Sequence, residues 1–519
     1  MQKLPIGIQD FKVLRTGGYL YVDKTSYIYD LIESGKYYFL SRPRRFGKSL
    51  LLSTLKYLFL GEKQLFDGLW ISDHRTQWNT HPVVHLSFSA LDYKSLGLEA
   101  ALDQAMNICA GEYGITLIRL GLAARFQELL QGLGKKNQKV ILLIDEYDKP
   151  LVDYIDQVEQ AEKNRAILKN FFSAIKDSDA YLHFFLITGV SKFSKVSLFS
   201  DLNHLRDITL VRQYNELAGY TKEELAQYFG EEIKELALSN HISEEEMKAQ
   251  IRHWYNGYRW KGEESLYNPF SILNFFASGE FANYWWETGT PSFLIKQLRK
   301  GFHYDLNIVE AGSDVFESYT LDNLEWRSLL FQTGYLTIHN YDPELYLYTL
   351  GYPNREVKDA MHRHMLGAFR NSTTAESQPL YANIKRALDQ GNMTRLIELI
   401  NTLFASIPHQ IFLEKYEAFF HAILHLTFQG LGLITQSEVS RSKGRLDTVV
   451  HSKAHIYVME FKLDDTAEAA LDQIREKRYG SAELGGQKEV IAMGIGFSSE
   501  TKAVNSWKAI PYLELLAEE

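Results

Sequence analysis

The chain has 519 residues, 45% hydrophobic and 23% charged, with a formal net charge of −9 and one cysteine. That length exceeds the ~250–300 residues at which a single core stops growing and predicts two to four domains, while the acidic balance excludes a generally basic nucleic-acid coat. A lone Cys109 excludes a disulfide framework and a cysteine-only zinc cluster, which fits a cytoplasmic setting, and no run reaches the ~18–20 apolar residues of a membrane span.

Taken in chain order, the apolar run Tyr37 to Leu40 enters Arg42 to Ser49 and a helical pattern from Leu50 to Leu60, which reads as strand, loop and helix. Strands follow at Val83 to Phe88, Val140 to Ile144 and Leu182 to Thr188, separated by a long helical region from Gly97 to Gly132 and a helix from Gln160 to Lys176. Near-continuously apolar strands alternating with helices predict an α/β fold with a parallel sheet covered on both faces, spanning residues 1–213. Residues 214–320 read as a helical lid. Helix, hairpin and helix patterns over 321–370 predict a winged-helix-like unit, and 371–404, opening on the polar stretch Asn371 to Gln378, reads as linker and helical connector. The order over 405–519 is helix, three strands, helix, strand, an α/β domain.

Two sets of residues carry chemistry. In the first, Gly47-Lys48-Ser49 has the parts of a phosphate loop: glycine for close backbone approach, lysine for the β and γ oxygens, and a hydroxyl for Mg²⁺. A strict pattern has glycine at position 42, where this chain has arginine, so Arg44, Arg45 and Phe46 complete the expected ATP-binding loop. The strand Val140 to Ile144 delivers Asp145 as the second Mg²⁺ holder and Glu146 as the residue that polarises water. Thr188 ends the next strand, either as a γ-phosphate sensor or as a plain strand-ending hydroxyl. Arg206 and the pair Arg44 and Arg45 could each supply a charge-stabilising arginine, or equally be plain solvent-facing arginines.

In the second set, Asp447 lies in one strand while Glu460 and Lys462 share a face of the next through the period of two. Phosphodiester hydrolysis needs such carboxylates for Mg²⁺ or Mn²⁺ and a cation that positions water. Arg441, Lys443, Arg445 and Lys453 are the nearby basic residues for phosphate contact. His421 and His425 share a helical face, but no third zinc ligand has suitable spacing, so they read as packed histidines.

Arg42 to Ser49, preceded by Tyr21-Val22-Asp23-Lys24-Thr25 and followed by Leu143 to Asp148, resembles the bacterial AAA-ATPase-like family, and Trp254-Tyr255-Asn256-Gly257-Tyr258 resembles another stretch of it, read as core and turn. That family's arginine-proline opening replaces the usual first glycine. The resemblance implies kinship with archaeal-type and signal-transducing ATPases, in which a winged helix follows the ATPase core. Gly444-Arg445-x-Asp447, Glu460-Phe461-Lys462, and Gln473 to Lys477 with Tyr479 resemble the PD-(D/E)XK nuclease version commonly fused to this ATPase type. The likeness implies Asp447 and Glu460 as metal ligands, Lys462 as the water-positioning group, Gln473 as an auxiliary, and another acid on the preceding helix, read as Glu417 with Glu414 as its competitor. The expected protein is an ATP-regulated DNA nuclease of mobile-element or phage-defence type, with RNA and a homo-oligomer left open. Its alternative is a nucleotide-driven signalling switch whose nuclease fold binds DNA without cleaving it.

Overall fold

The computed structural model describes residues 2–517 apart from 135–137, 193–197, 200–201, 203, 262–263, 286–293, 296–297, 299–304, 317–324, 371–377, 408–415, 432, 442–443 and 485. Along 368–370, 378, 416–418, 434–441 and 444–447, and at 482, it describes the backbone alone. The chain divides into two compact units, Met1–Gly289 with Asn307–Val357, and Thr290–Leu306 with Lys358–Glu519.

The first unit is built on β1 (Tyr37–Ser41), β2 (Val83–Ser87), β3 (Val140–Asp145), β4 (Leu182–Gly189) and β5 (Arg206–Asp207). They form one sheet in the order β2-β3-β4-β1-β5, every pairing parallel. The principal helices here are α1 (Lys48–Phe59), α2 (Leu98–Glu112), α3 (Leu122–Gly134) and α4 (Val158–Lys176). All six residues of β3 are buried because helices cover both faces, and α1 packs Leu51, Leu55 and Leu58 with Ile141, Leu143 and Leu186. The helical region expected from Gly97 to Gly132 is two helices. Gly114 and Gly121, at φ 66° and 86°, lie between them in the left-handed region where a helix cannot continue.

Beyond the sheet come α5 (Lys222–Ser239), α6 (Glu244–Tyr255) and α7 (Pro269–Ser278). Reciprocal capping boxes start α5 (Thr221 with Glu224) and α6 (Ser243 with Glu246), and Asn268 caps α7. Phe229, Ile251 and Phe275 join their inner faces. The Tyr21 to Thr25 stretch ties this layer to the sheet domain. Lys24 Nζ donates to Glu224 at 2.6 Å, while Asp23 accepts from the main-chain N and the hydroxyl of Thr25. Next follow β6 (Val309–Ala311), α8 (Trp326–Thr333), β7 (Thr337–Asp342), β8 (Leu347–Gly351) and α9 (Arg355–Arg370), whose residues from Lys358 on belong to the second unit, with the strands in the antiparallel order β6-β8-β7. The helix, hairpin and helix are where the periodicity places them. β6 is an added third strand, too short to leave a pattern.

One glycine fastens these layers. Gly257 sits at φ 118°, and a Cβ there would meet the Pro353 carbonyl oxygen at 1.7 Å. Gly257→Ala is expected to destabilise this unit by about 3 kcal/mol or more, read as a lowered urea midpoint for its unfolding transition.

The second unit holds α10 (Gln378–Asp389), α11 (Met393–Ala405), α12 (Tyr416–Gly430), β9 (Ile434–Arg441), β10 (Gly444–His451), β11 (His455–Leu463), α13 (Ala467–Lys477), β12 (Glu489–Ser498) and β13 (Ala503–Pro511). Its sheet runs β13-β12-β11-β10-β9, with β11 and β12 parallel and the other pairs antiparallel. β13 was absent from the sequence pattern. α10 and α11, from the stretch read as connector, dock on this sheet: Tyr457 hydroxyl donates to Leu388 O at 2.6 Å, and Val504 N donates to Asn401 Oδ1 at 2.8 Å. No helix among the described residues is long and apolar enough to cross a membrane.

Candidate nucleotide and nuclease sites

β1 ends at Ser41, and the loop after it turns into α1 through Gly47, whose φ of 89° is left-handed. No atom lies within 4 Å of a Cβ built there, so backbone conformation rather than space calls for glycine. Lys48, 5% exposed, opens α1 and donates to the carbonyl oxygens of Arg42 and Pro43, both at 2.9 Å. Burial pulls its ammonium below the usual lysine range, opposed by Asp145, Glu146 and Asp148. Ser49 is half-buried in the first turn.

The strand order puts β4 between the loop-bearing β1 and the acidic β3, with Leu40 opposite Thr188 and Ile144 opposite Ile187. The Thr188 hydroxyl therefore reaches Asp145 Oδ1 at 2.6 Å and orients that buried carboxylate. Glu146 follows at φ 56°, and burial, then Asp145, raises its carboxyl, with Lys48 opposing. Asp148 is the acid that local reading missed. Fully enclosed, it accepts from Val190 N, Ser191 N and the Ser191 hydroxyl, so it fastens the turn after β3 to the turn after β4. The hint was its place at the end of the Leu143 to Asp148 stretch, where the sequence assigns it no role of its own.

Other expected loop residues separate by what they touch. Arg45 is exposed, with its guanidinium 4.8 Å from the Phe270 ring. Arg44 accepts from the Trp285 indole N–H at 3.0 Å through its carbonyl. Phe46, 1% exposed, turns its ring into the protein edge-on to Tyr258, which leaves its backbone for any phosphate contact. Arg206 pairs with Tyr38, upstream of the loop, and lies against Tyr214. Arg42, in the place of the usual first glycine, is a structural tie. Its guanidinium is completely buried, donates to Ser41 O, Thr209 O and Tyr214 O, and is pulled down to about 9 by burial.

In the second unit β11 alternates between faces. Phe461 meets His421 of α12 at a ring separation of 5.2 Å, whereas Glu460, 2% exposed, meets Gln473 of α13 on the other face. Gln473 bridges: its amide N–H donates to Glu460 Oε1, and its oxygen accepts from Lys462 Nζ, which stands 3.8 Å from Glu460 Oε1. The pairing of Thr448 with Met459, continued by one step, sets position 447 opposite Glu460 along the backbone. The side chains of Asp447 and Glu417 lie outside the described residues, as does Glu414. The same holds for the side chains of Arg441 and Arg445 and for Lys443, while Lys453 donates through its main chain to Asp389. Among the described residues no three His, Cys, Asp or Glu side chains gather as a metal set; His421 and His425 are buried in the packing of α12.

A parallel sheet with a lysine loop after β1, an acid ending β3 and a hydroxyl strand between them is a P-loop ATPase fold. A mixed sheet carrying Glu-x-Lys on β11, with helices on both faces, is a PD-(D/E)XK nuclease fold. The chain belongs to the AAA-ATPase-like family: residues 5–199 match the model described as predicted AAA-ATPase, and residues 415–507 match the PD-(D/E)XK nuclease superfamily. It is similar, at 38% identity over 527 residues covering 97% of this chain and 98% of the relative, to the uncharacterized protein in the vnfD 5' region of Azotobacter chroococcum mcd 1. The molecule is thus a nucleotide-binding protein with a nuclease-superfamily domain.

Proposed function

We propose that the protein is an ATP-regulated, Mg²⁺-dependent DNA phosphodiesterase in which ATP bound by the first unit controls cleavage by the second. The observation that carries this reading is one chain holding both assemblies, Lys48 with Asp145 and Thr188, and Glu460 with Gln473 and Lys462. The donor sets suit their ligands: a buried ammonium at a helix N-terminus for phosphate, and a buried carboxylate beside an ammonium for a hard cation. In this reading Lys48 neutralises phosphate oxygens, Ser49 and Asp145 hold Mg²⁺, Thr188 orients Asp145, and Glu146 positions the attacking water. Asp447, Glu460 and Glu417 hold the nuclease cation, which supplies charge stabilisation for the phosphodiester, and Lys462, held by Gln473, positions water. Phage defence or mobile-element maintenance is the setting that such a pairing suits.

The test is full-length protein incubated with plasmid, linear duplex, single-stranded DNA and RNA, in Mg²⁺ or Mn²⁺, with and without ATP. Metal-dependent DNA cleavage whose rate responds to ATP is the expected result. DNA binding with no cleavage under either metal would replace this reading with the nucleotide-driven switch.

A further inference from the structure

The Trp254 to Trp260 stretch has no chemistry of its own, yet the structure folds it onto the outer side of the phosphate loop. Arg42 lies 4.2 Å from the Trp260 ring, a cation over an aromatic face. Phe46 packs edge-on to Tyr258 at 4.8 Å and to Trp260 at 5.4 Å. From farther along the chain, the Trp285 indole N–H donates to Arg44 O. Trp285 is itself anchored, because its main-chain N donates at 2.6 Å to the buried carboxylate of Glu356, which also accepts from the Ser271 hydroxyl at 2.7 Å. Gly334 completes the cover: a Cβ there would come within 2.6 Å of Pro43 Cγ. The loop from Arg42 to Phe46 is therefore gripped from outside at 42, 43, 44 and 46, while Lys48 holds the carbonyls of Arg42 and Pro43 from inside.

A phosphate loop binds well when its N–H groups already point inward before the ligand arrives, since ordering them on binding costs affinity. This loop has no glycine from 42 to 46, so its conformation is set by what packs on it. We propose that Trp260 and Trp285 are positioning residues of the nucleotide site, holding the phosphate loop in its binding conformation through Arg42 and Arg44. The proposal rests on the nucleotide-binding reading of Lys48. It also gives the nucleotide a mechanical route outward, because an anion that draws Lys48 away from the Arg42 and Pro43 carbonyls acts on the residues that Trp260 and Gly334 touch.

The test measures affinity of the full-length protein for a fluorescent ATP analogue with Mg²⁺, alongside melting temperature, in wild type, Lys48→Ala, Trp260→Leu, Trp260→Phe and Trp285→Phe. Trp260→Leu is expected to weaken binding roughly tenfold, whereas Trp260→Phe, which keeps a ring face under Arg42, stays within about threefold of wild type. Trp285→Phe, which deletes one N–H donor and keeps an aromatic ring, is expected to lose roughly fivefold at an unchanged melting temperature. Rescue by phenylalanine separates positioning from mere filling of the core. A folded Trp260→Leu variant with wild-type affinity overturns the proposal; if that variant fails to fold, wild-type affinity in Trp285→Phe overturns it. Wild type that binds no analogue, or Lys48→Ala that binds it fully, overturns the nucleotide reading instead and the proposal with it.

Discussion

Lys48→Ala is expected to weaken ATP binding on the order of 100-fold or more, the largest effect of any single change in the first unit. The ammonium is the buried cation at the start of α1, in the field of Asp145, Glu146 and Asp148. Deleting it removes the charge that would receive phosphate and leaves those acids without the cation that lowers Glu146 and Asp148. With that positive charge gone the pocket becomes more negative, and an incoming triphosphate meets repulsion where it met attraction. The same loss favours protonation of Glu146 and Asp148 and so opposes the change. Arginine is a poor substitute because its larger planar fork does not fit the buried position from which one ammonium bonds two carbonyls. Titration with a fluorescent ATP analogue, with circular dichroism to establish folding, checks this. Unaltered affinity in a folded Lys48→Ala protein would remove the nucleotide assignment.

The central strands and the placement of several candidate site residues were legible because the patterns behind them are local. Val140 to Ile144 had to be buried on both faces to be so continuously apolar, and the strand proves to be enclosed along its length. Glu460 and Lys462 share a face through the pleat, and Gln473 was placed beside them by resemblance; the structure brings all three together. What escaped local reading depends on partners far along the chain. Arg42 looked like a defect in a glycine pattern. Its role appears only when Thr209, Tyr214 and Trp260 arrive around it. Phe46 sits within the loop but turns toward Tyr258, which no spacing rule reveals. β13 carries exposed Trp507 amid polar neighbours, as an edge strand does, so it lacked the apolar signal that marked β12. Thr188 is a case between these extremes: its position beside the acidic strand was readable, whereas its engagement with Asp145 follows from β4 lying between β1 and β3.

In the second unit, Glu460→Gln is expected to lower metal-dependent DNA cleavage on the order of 10³-fold while leaving the fold intact. The substitution keeps the size of the side chain and an oxygen able to accept from Gln473, but removes the negative charge that would hold a divalent cation. A buried carboxylate exchanged for an amide costs little stability, because the desolvation of the charge disappears with it. Lys462→Ala acts differently. Its ammonium, bonded to the Gln473 oxygen and 3.8 Å from Glu460, would orient water, so its loss lowers the rate while metal affinity is largely retained. Isothermal titration with Mn²⁺ separates the two, since weaker metal binding is expected for Glu460→Gln and near-normal binding for Lys462→Ala. Asp447→Ala combined with Lys462→Ala removes a charge from each of two neighbouring strands, and cleavage should then fall to background. Persistent Mg²⁺-dependent cleavage by that folded double variant would mean that the phosphodiester is cut elsewhere, and that β10 and β11 serve only to build the sheet.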